Sequence, residues 1–314
     1  MTAILTQLKN EEANMSLKTY FLETRPQFLI LSLVLIILAT SMAWYDGIFN
    51  LKYTFLTFLG LLLLHISVNT LNDYFDYKSG IDLKVNRTPF SGGSGLLPSG
   101  KITARQTFWL GMTSFILAVP IGVYFDLNKG FYLLPIFILG AIFILFYTSF
   151  LAKLGAGISE ISAGLGLGTL PVLGVYLILN KGFSFPVLFA CIPSGILVCN
   201  LLYLNEFPDV EADITGKRKT LPIILGKDRA AILYSALTLL VYVWIILGVI
   251  LKFMPPFTLI ALLTLPFAIK AIGGSLAHKD LSKLVPAQGA NVMVVLLTQF
   301  LLGIGYILSK AISL

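Results

Sequence analysis

Two short windows of this 314-residue chain gather side chains able to hold a metal ion and an anion. The first is Asn72-Asp73-Tyr74-Phe75-Asp76-Tyr77-Lys78-Ser79-Gly80-Ile81-Asp82. The second is Asn205-Glu206-Phe207-Pro208-Asp209-Val210-Glu211-Ala212-Asp213. The chain has only 15 acidic residues, and seven of them fall in these windows. Asn72 and Asp76 are four apart, as are Asn205, Asp209 and Asp213. On a helix each set shares one face, with about 6 Å between successive members. Asn69 and His65 continue the first face. Gly80 is expected to end that helix and let Asp82 fold back toward it.

Carboxylates on facing helices repel one another unless a cation sits between them. An oxygen-only set without cysteine suits a hard ion such as Mg²⁺, which keeps waters and is shared with substrate phosphates. The bases Arg87, Lys153, Lys217 and Arg218 would then meet phosphate oxygens. Acids and bases interleaved in this way point to a metal–diphosphate site. Glu206 and Glu211 fall off the shared face and are expected to be solvated loop charges. Asp73 is ambiguous. His65 is expected to satisfy a neighbouring helix, and His278 to lie on a loop surface.

The elements that must position these residues are apolar. The chain is 57% hydrophobic and 12% charged, against about 25% charged for a soluble domain. Apolar runs occur near 28–45, 54–71, 107–125, 131–150, 157–179, 184–204, 229–251, 256–273 and 290–312. Each approaches the roughly 20 residues that a membrane helix needs. The expected fold is therefore all-α, a polytopic membrane bundle of about nine helices around a central cavity. It is read as one unit over residues 1–314, with a polar lead-in at 1–20 and two polar connections at 72–106 and 205–228. Pro120, Pro171, Pro193 and Pro266 fall inside spans, where neighbouring helices re-satisfy freed backbone groups. Cys191 and Cys199 lie in apolar stretches and read as small core residues.

The net charge of +7 does not indicate nucleic acid, because the basic residues sit in short loops. An interior N-terminus puts 17 Lys and Arg inside and 5 outside, a clear positive-inside bias. Both polar connections then face the cytoplasm, and the C-terminus lies outside a cytoplasmic membrane. Residues 1–20 carry Lys9, Glu11, Glu12 and Lys18, which argues against a signal peptide.

At the two windows the chain resembles the UbiA superfamily of intramembrane prenyltransferases. The first matches the family's N-x-x-x-D followed by a further Asp; the second matches its D-x-x-x-D. The wording N-D-Y-F-D-Y-x-x-G-x-D, and Gly-Lys-Arg-Lys-Thr-Leu-Pro at 216–222, are most similar to the MenA-like, 1,4-dihydroxy-2-naphthoate branch. Arg25-Pro26 before the first span, and Tyr147-Thr148 with Lys153 after the fourth, also fit. The resemblance implies that Asn72, Asp76, Asn205, Asp209 and Asp213 hold Mg²⁺ and the donor diphosphate. It implies that Arg87 and Lys153 bind diphosphate oxygens, with Tyr147, Asn69, Arg25 and Lys217 as further substrate contacts. The prenyl tail would lie in an apolar tunnel open to lipid. The segment Arg87-Thr-Pro-Phe-Ser-Gly-Gly-Ser-Gly-Leu-Leu-Pro departs from the branch in its glycine content and is expected to lie over the acceptor.

The chemistry implied is alkyl transfer from a polyprenyl diphosphate to an aromatic or quinone-precursor acceptor. Asp76 and Asp209 are the central catalytic candidates, and Asp82 or Asp73 the candidate base. Tyr74, Phe75, Tyr77 or Tyr147 could stabilise an allylic cation. Other acceptors (hydroxybenzoate, homogentisate, haem, chlorophyllide, a glycerol-phosphate lipid) stay open. A cation-coupled transporter is the rival class, although the acids sit at span ends rather than mid-bilayer.

Overall fold

The computed structural model describes residues 17–180 and 182–312. Most of the expected lead-in, residues 1–16, lies outside the described residues. Those that are described form helices and no strand. They run α1 Leu17–Glu23, α2 Pro26–Tyr45, α3 Leu51–Ser79, α4 Ala104–Lys129, α5 Phe131–Phe146 and α6 Ile158–Leu179. After these come α7 Phe185–Asn205, α8 Val210–Thr215, α9 Leu221–Leu225, α10 Lys227–Ile250, α11 Pro256–Leu276 and α12 Leu281–Ile312. Among the described residues, eight helices are long and apolar enough to cross a membrane, and α5 is a shorter apolar helix. The expected bundle is therefore present: the chain is a multi-pass membrane protein.

Local chemistry sets the ends that matter for the site. The Asn50 side chain accepts the Tyr53 N–H at 3.0 Å and starts α3. Its 29 residues span about 43 Å at 1.5 Å per residue, more than the ~30 Å hydrocarbon slab. Asn72 and Asp76 lie on the last turns of α3. Gly80 stops the helix at φ 81°, a conformation glycine adopts without penalty. A 3₁₀ turn at Ile81–Leu83 then carries Asp82 back. Thr103 and Gln106 form a reciprocal capping box that starts α4.

The second window departs from expectation. α7 ends at Asn205, and α8 begins only at Val210. Pro208 has no N–H and cannot continue a helix. The chain instead turns, with Asp209 N–H on Glu206 C=O at 3.1 Å. Asn205, Asp209 and Asp213 therefore do not share one continuous helical face. Only Asp209 and Asp213 keep the helical step, with Asp213 N–H on Asp209 C=O at 2.8 Å.

Small residues bring α6 and α7 into backbone contact. A methyl on Gly168 would lie 2.5 Å from the Ser194 carbonyl oxygen, and one on Gly164 would lie 2.6 Å from that of Gly195. This is the small-residue packing of membrane helices. Over Leu165–Thr169, α6 widens into a π turn, a feature that recurs at functional sites. Gly168→Val is expected to destabilise the bundle by about 1–3 kcal/mol or more, read as a lower melting midpoint in detergent. Gly273→Ala, whose added methyl meets nothing within 4 Å, is expected to leave the midpoint unchanged.

Candidate active site

Adjoining ends of α2, α3, α5, α6 and α7 line a cavity of about 150 Å³. Its polar end carries Arg25, Asn69, Asn72, Tyr147 and Asn205, and its walls are apolar. A second cavity of about 320 Å³, almost wholly apolar, extends along α3, α4, α5 and α6. The two share Ile144, Gly166 and Leu167 as lining residues. The two cavities therefore adjoin, the first with Asn72 and Asn205 at its polar end.

Asp76 is buried at 7% exposure. One of its oxygens accepts the Asn72 amide at 3.1 Å, and the other pairs with Arg218. Arg218 also bonds Asp213 at 3.0 Å, so one guanidinium joins the two windows across facing helices. Asn72 donates in addition to the Thr148 hydroxyl at 3.0 Å. Beside this group lies a polar cleft of about 270 Å³, lined by Asp76, Thr148, Ser149, Lys153 and Arg218.

The glycine-rich segment lies across the acids. Ser94 N–H donates to Asp73 at 2.8 Å, and the Ser94 hydroxyl to Glu23 at 2.7 Å. The Ser91 hydroxyl faces the Asp209 carboxylate. A methyl on Gly93 would sit 3.2 Å from oxygens of both Asp73 and Asp82, and its φ of +70° is one that glycine adopts without penalty. Thr88 anchors the segment to α12 through Gln288 at 3.3 Å. Arg25 pairs with Asp73 at 3.4 Å and lies 4.7 Å from the centre of the Phe28 ring.

Several expected contacts take another form. Arg87 is held by its own loop, donating to the Gly92 and Asp82 carbonyls at 2.9 and 2.8 Å. Lys153 is exposed at the rim of the polar cleft. Lys217 is exposed and adopts a left-handed backbone, φ 61°; its neighbour Arg218 is the one that meets the carboxylates. Asn69 donates to the Thr24 carbonyl at 3.0 Å while lining the cavity. Of the four candidate aromatics, Tyr147 lines the central cavity, whereas Tyr74 packs on Phe75 and Phe108.

Two expectations are corrected. Glu206 is not a solvated loop charge: it is 4% exposed, because the turn made by Pro208 folds it inward against Ser159. His278 is not surface: it is 8% exposed and packs edge-on against Phe207, ring centres 5.8 Å apart. Glu211 is solvated as expected, paired with Lys227 at 3.2 Å. His65 bonds Ser32 of α2 at 2.9 Å, the helix-satisfying role expected of it.

Three buried acids went unseen in the sequence: Glu160, Glu23, and Asp126 near the end of α4. Glu160 is fully buried and accepts the Leu221 N–H at 2.5 Å, fixing the start of α9. Glu23 is fully buried under the glycine-rich segment. The available sign was a lone acid inside the apolar run 157–179, and another just before Arg25-Pro26.

Burial, with Asp73 and Asp76 nearby, pushes Asp82 up to about 8. Burial and Asp213 push Asp209 up to about 7. Burial and Glu160 hold Glu206 well above the ordinary range. Burial is the largest cause in each case, and neighbouring carboxylates add to it. Asn205 Oδ1, Asp209 Oδ1, Asp213 Oδ2 and Asp82 Oδ2 are buried without a hydrogen-bond partner. Free carboxylate and amide oxygens are the ligands a hard cation takes, so the residues fit magnesium. Among the described residues, no group of three or more His, Cys, Asp or Glu side chains could hold an ion.

Glu23 gives a pH prediction away from the metal ligands. Burial and the Asp73 charge raise it from 4.5 to about 7. A raised carboxyl favours the folded state when protonated, and that contribution is lost as pH rises through the folded value. Glu23→Gln keeps an acceptor for Ser94 and does not ionise. Relative to the parent it is expected to be more stable at pH 8 than at pH 5.5, by on the order of 2 kcal/mol, read from melting midpoints.

A 1,4-dihydroxy-2-naphthoate octaprenyltransferase of Bacillus subtilis is 26% identical, over 91% of each chain. A digeranylgeranylglyceryl phosphate synthase of Pyrococcus abyssi is 27% identical, over 77% of this chain and 78% of its own. The solved structure of a UbiA homologue from Archaeoglobus fulgidus bound to GPP and Mg²⁺ shares the fold. Its TM-score is 0.58 at 13% identity, covering 90% of this chain and 99% of that one. The model of the UbiA prenyltransferase family matches residues 32–292. On the paired Asn/Asp windows, the bundle and that match, the chain belongs to the UbiA prenyltransferase family, whose members transfer a prenyl group from a polyprenyl diphosphate.

Proposed function

We propose that this enzyme prenylates an aromatic quinone precursor, 1,4-dihydroxy-2-naphthoate or a close relative, with Mg²⁺ on the donor diphosphate. The observation that supports the reading is the set of unpaired buried oxygens on Asn205, Asp209 and Asp213, with Arg218 joining Asp213 to Asp76, beside a cavity that Asn72 and Asn205 line. Magnesium supplies Lewis-acid neutralisation of the leaving diphosphate. Asn72, Asp76, Asn205, Asp209 and Asp213 would hold it. Arg218 and Lys153 would stabilise charge that grows on the diphosphate oxygens as the C–O bond breaks. The prenyl tail lies in the passage past Ile144 and Leu167, whose apolar walls keep water from the allylic cation. Tyr147 presents an aromatic ring to that cation.

Arg25, with Phe28, Phe143 and Tyr147 around it, suits an aromatic carboxylate better than a flexible glycerol phosphate: rings flank the cavity and a guanidinium closes it. The Bacillus subtilis relative, aligned over 91% of both chains, supports the same acceptor. A ring carbon of the acceptor attacks the allylic carbon, and diphosphate leaves. Asp82 is the better placed base: one of its oxygens is unpaired and its proton affinity is raised to about 8. Asp73 is occupied by Arg25 and Ser94. The positive-inside bias puts this site on the cytoplasmic side of the cell membrane, with the C-terminus outside.

The test is incubation of purified protein with Mg²⁺, a labelled prenyl diphosphate and a panel of acceptors, followed by lipid extraction and mass measurement. A prenylated naphthoate-derived product is expected. A product formed only with a glycerol-phosphate lipid would overturn the acceptor.

A further inference from the structure

Arg218 reaches its place by an unusual route. The chain leaves α8 through Gly216 and Lys217, with Lys217 in the left-handed region at φ 61°. That position is ordinarily taken by glycine, and a side chain there costs energy that the surroundings must offset. The turn brings Arg218 N–H onto the Asp213 carbonyl at 3.0 Å and points its guanidinium back into the site. There it pairs with Asp76 of the first window and Asp213 of the second, with its side chain 13% exposed.

The consequence is an asymmetry between the windows. Asn205, Asp209 and Asp213 each keep a free buried oxygen. Asp76 keeps none, since Asn72 holds one oxygen and Arg218 the other. A divalent ion reaching this state finds ligands on one side and a resident cation on the other. The polar cleft beside Arg218, lined also by Lys153 and Thr148, gives the guanidinium somewhere to turn.

We propose that Arg218 is a built-in counter-cation that holds the two acidic windows together and exchanges for the metal only when diphosphate arrives to receive it. The inference rests on the metal–diphosphate reading above. Metal alone must displace a guanidinium that has no new partner, so it binds weakly. Metal and diphosphate together free Asp76 while the guanidinium moves to phosphate oxygens, which it bonds in a two-pronged way. Binding of the two is therefore positively coupled, and by reciprocity each strengthens the other by the same factor.

The experiment is titration of the purified protein with Mn²⁺ by electron paramagnetic resonance, with and without inorganic pyrophosphate. Free Mn²⁺ is corrected for the Mn²⁺–pyrophosphate complex in solution. In the parent, pyrophosphate is expected to tighten Mn²⁺ binding at least tenfold. In Arg218→Gln, Mn²⁺ alone is expected to bind at least fivefold more tightly than in the parent, and the enhancement by pyrophosphate to fall to twofold or less. Arg218→Lys, which keeps the charge but cannot bridge both carboxylates in the same way, should fall between; it also carries the test if the glutamine variant does not fold. An unchanged pyrophosphate enhancement in both variants, with Mn²⁺ binding still lost in Asp209→Asn, would overturn the exchange and leave the site reading intact. Absence of Asp209-dependent Mn²⁺ binding in the parent with pyrophosphate would overturn the site reading itself.

Discussion

Asp76→Asn and Asp209→Asn are each expected to lower prenyl transfer at least ~10²–10³-fold, the range for removing one preorganised electrostatic contact from a transition state. Asparagine keeps the shape and an acceptor oxygen while removing the charge. Asp76 would keep Asn72 beside it and lose its hold on Arg218 and the metal. Among the described residues Asp209 has an unpaired oxygen and no ion-pair partner at 4.0 Å or less, so the fold asks little of its charge. Both variants are expected to elute as folded protein from a size-exclusion column, Asp209→Asn with a melting midpoint near or above the parent's and Asp76→Asn with a lower one, because Arg218 loses a buried partner. The loss should appear in kcat and in kcat/KM together, because the contact strengthens as charge grows on the leaving group. Glu211→Gln is the control: Glu211 is exposed, and the substitution is expected to leave turnover within twofold. Near-parental turnover in both aspartate variants would remove this site from the mechanism.

The second large effect is expected at the neck between the two cavities. Ile144, Gly166 and Leu167 line both. Along α3 the lining residues run from Asn72 down to Thr57, about 22 Å at 1.5 Å per residue. A donor of two isoprene units is too short to need the far end, whereas one of four or more must pass the neck. Leu167→Trp adds bulk at the constriction, where close-packed walls leave little slack. It is expected to cut kcat/KM for a long donor more than ~10²-fold, a loss of about 3 kcal/mol of transition-state binding. The two-unit donor should lose less than about fivefold under the same scale. The comparison is made with one acceptor and two donors in the same detergent. Equal losses for both donors would show that the tail takes another route.

How legible these features were in the sequence depends on the range of the forces that set them. The first window was readable because its determinants are local: a helical spacing from Asn72 to Asp76 and a glycine stop at Gly80. The helix runs on past its apolar stretch to Ser79, so the acids stay on it. The second window misled because the four-residue spacing of Asn205, Asp209 and Asp213 suggested one helix while Pro208 forbade it. That signal was local and could have been weighed. Other features depend on contacts distant in sequence. Arg218 rather than Lys217 meets the acids because of a left-handed turn that no composition rule predicts. Glu206 and His278 are buried by the corner that brings Phe207 against the α11–α12 turn, so their polarity gave no warning. Glu23 and Glu160 each neighbour an apolar run, and what buries them is the glycine-rich segment in one case and α9 in the other. The passage itself depends on which faces of α3 to α6 pack, and periodicity is weak in helices apolar all round.

The central claim concerns where metal and diphosphate meet. Its most direct test is a crystal structure of the protein with Mn²⁺ and a non-transferable allylic thiolodiphosphate, with the metal located by its anomalous scattering. The account predicts a peak between α3 and α8, with oxygens of Asp76, Asp209 or Asp213 at about 2.0–2.6 Å, the range for hard-cation ligands. The diphosphate should lie on the same ion and the tail should enter the passage past Leu167. A peak bound to neither window, or a diphosphate seated away from both, would contradict it.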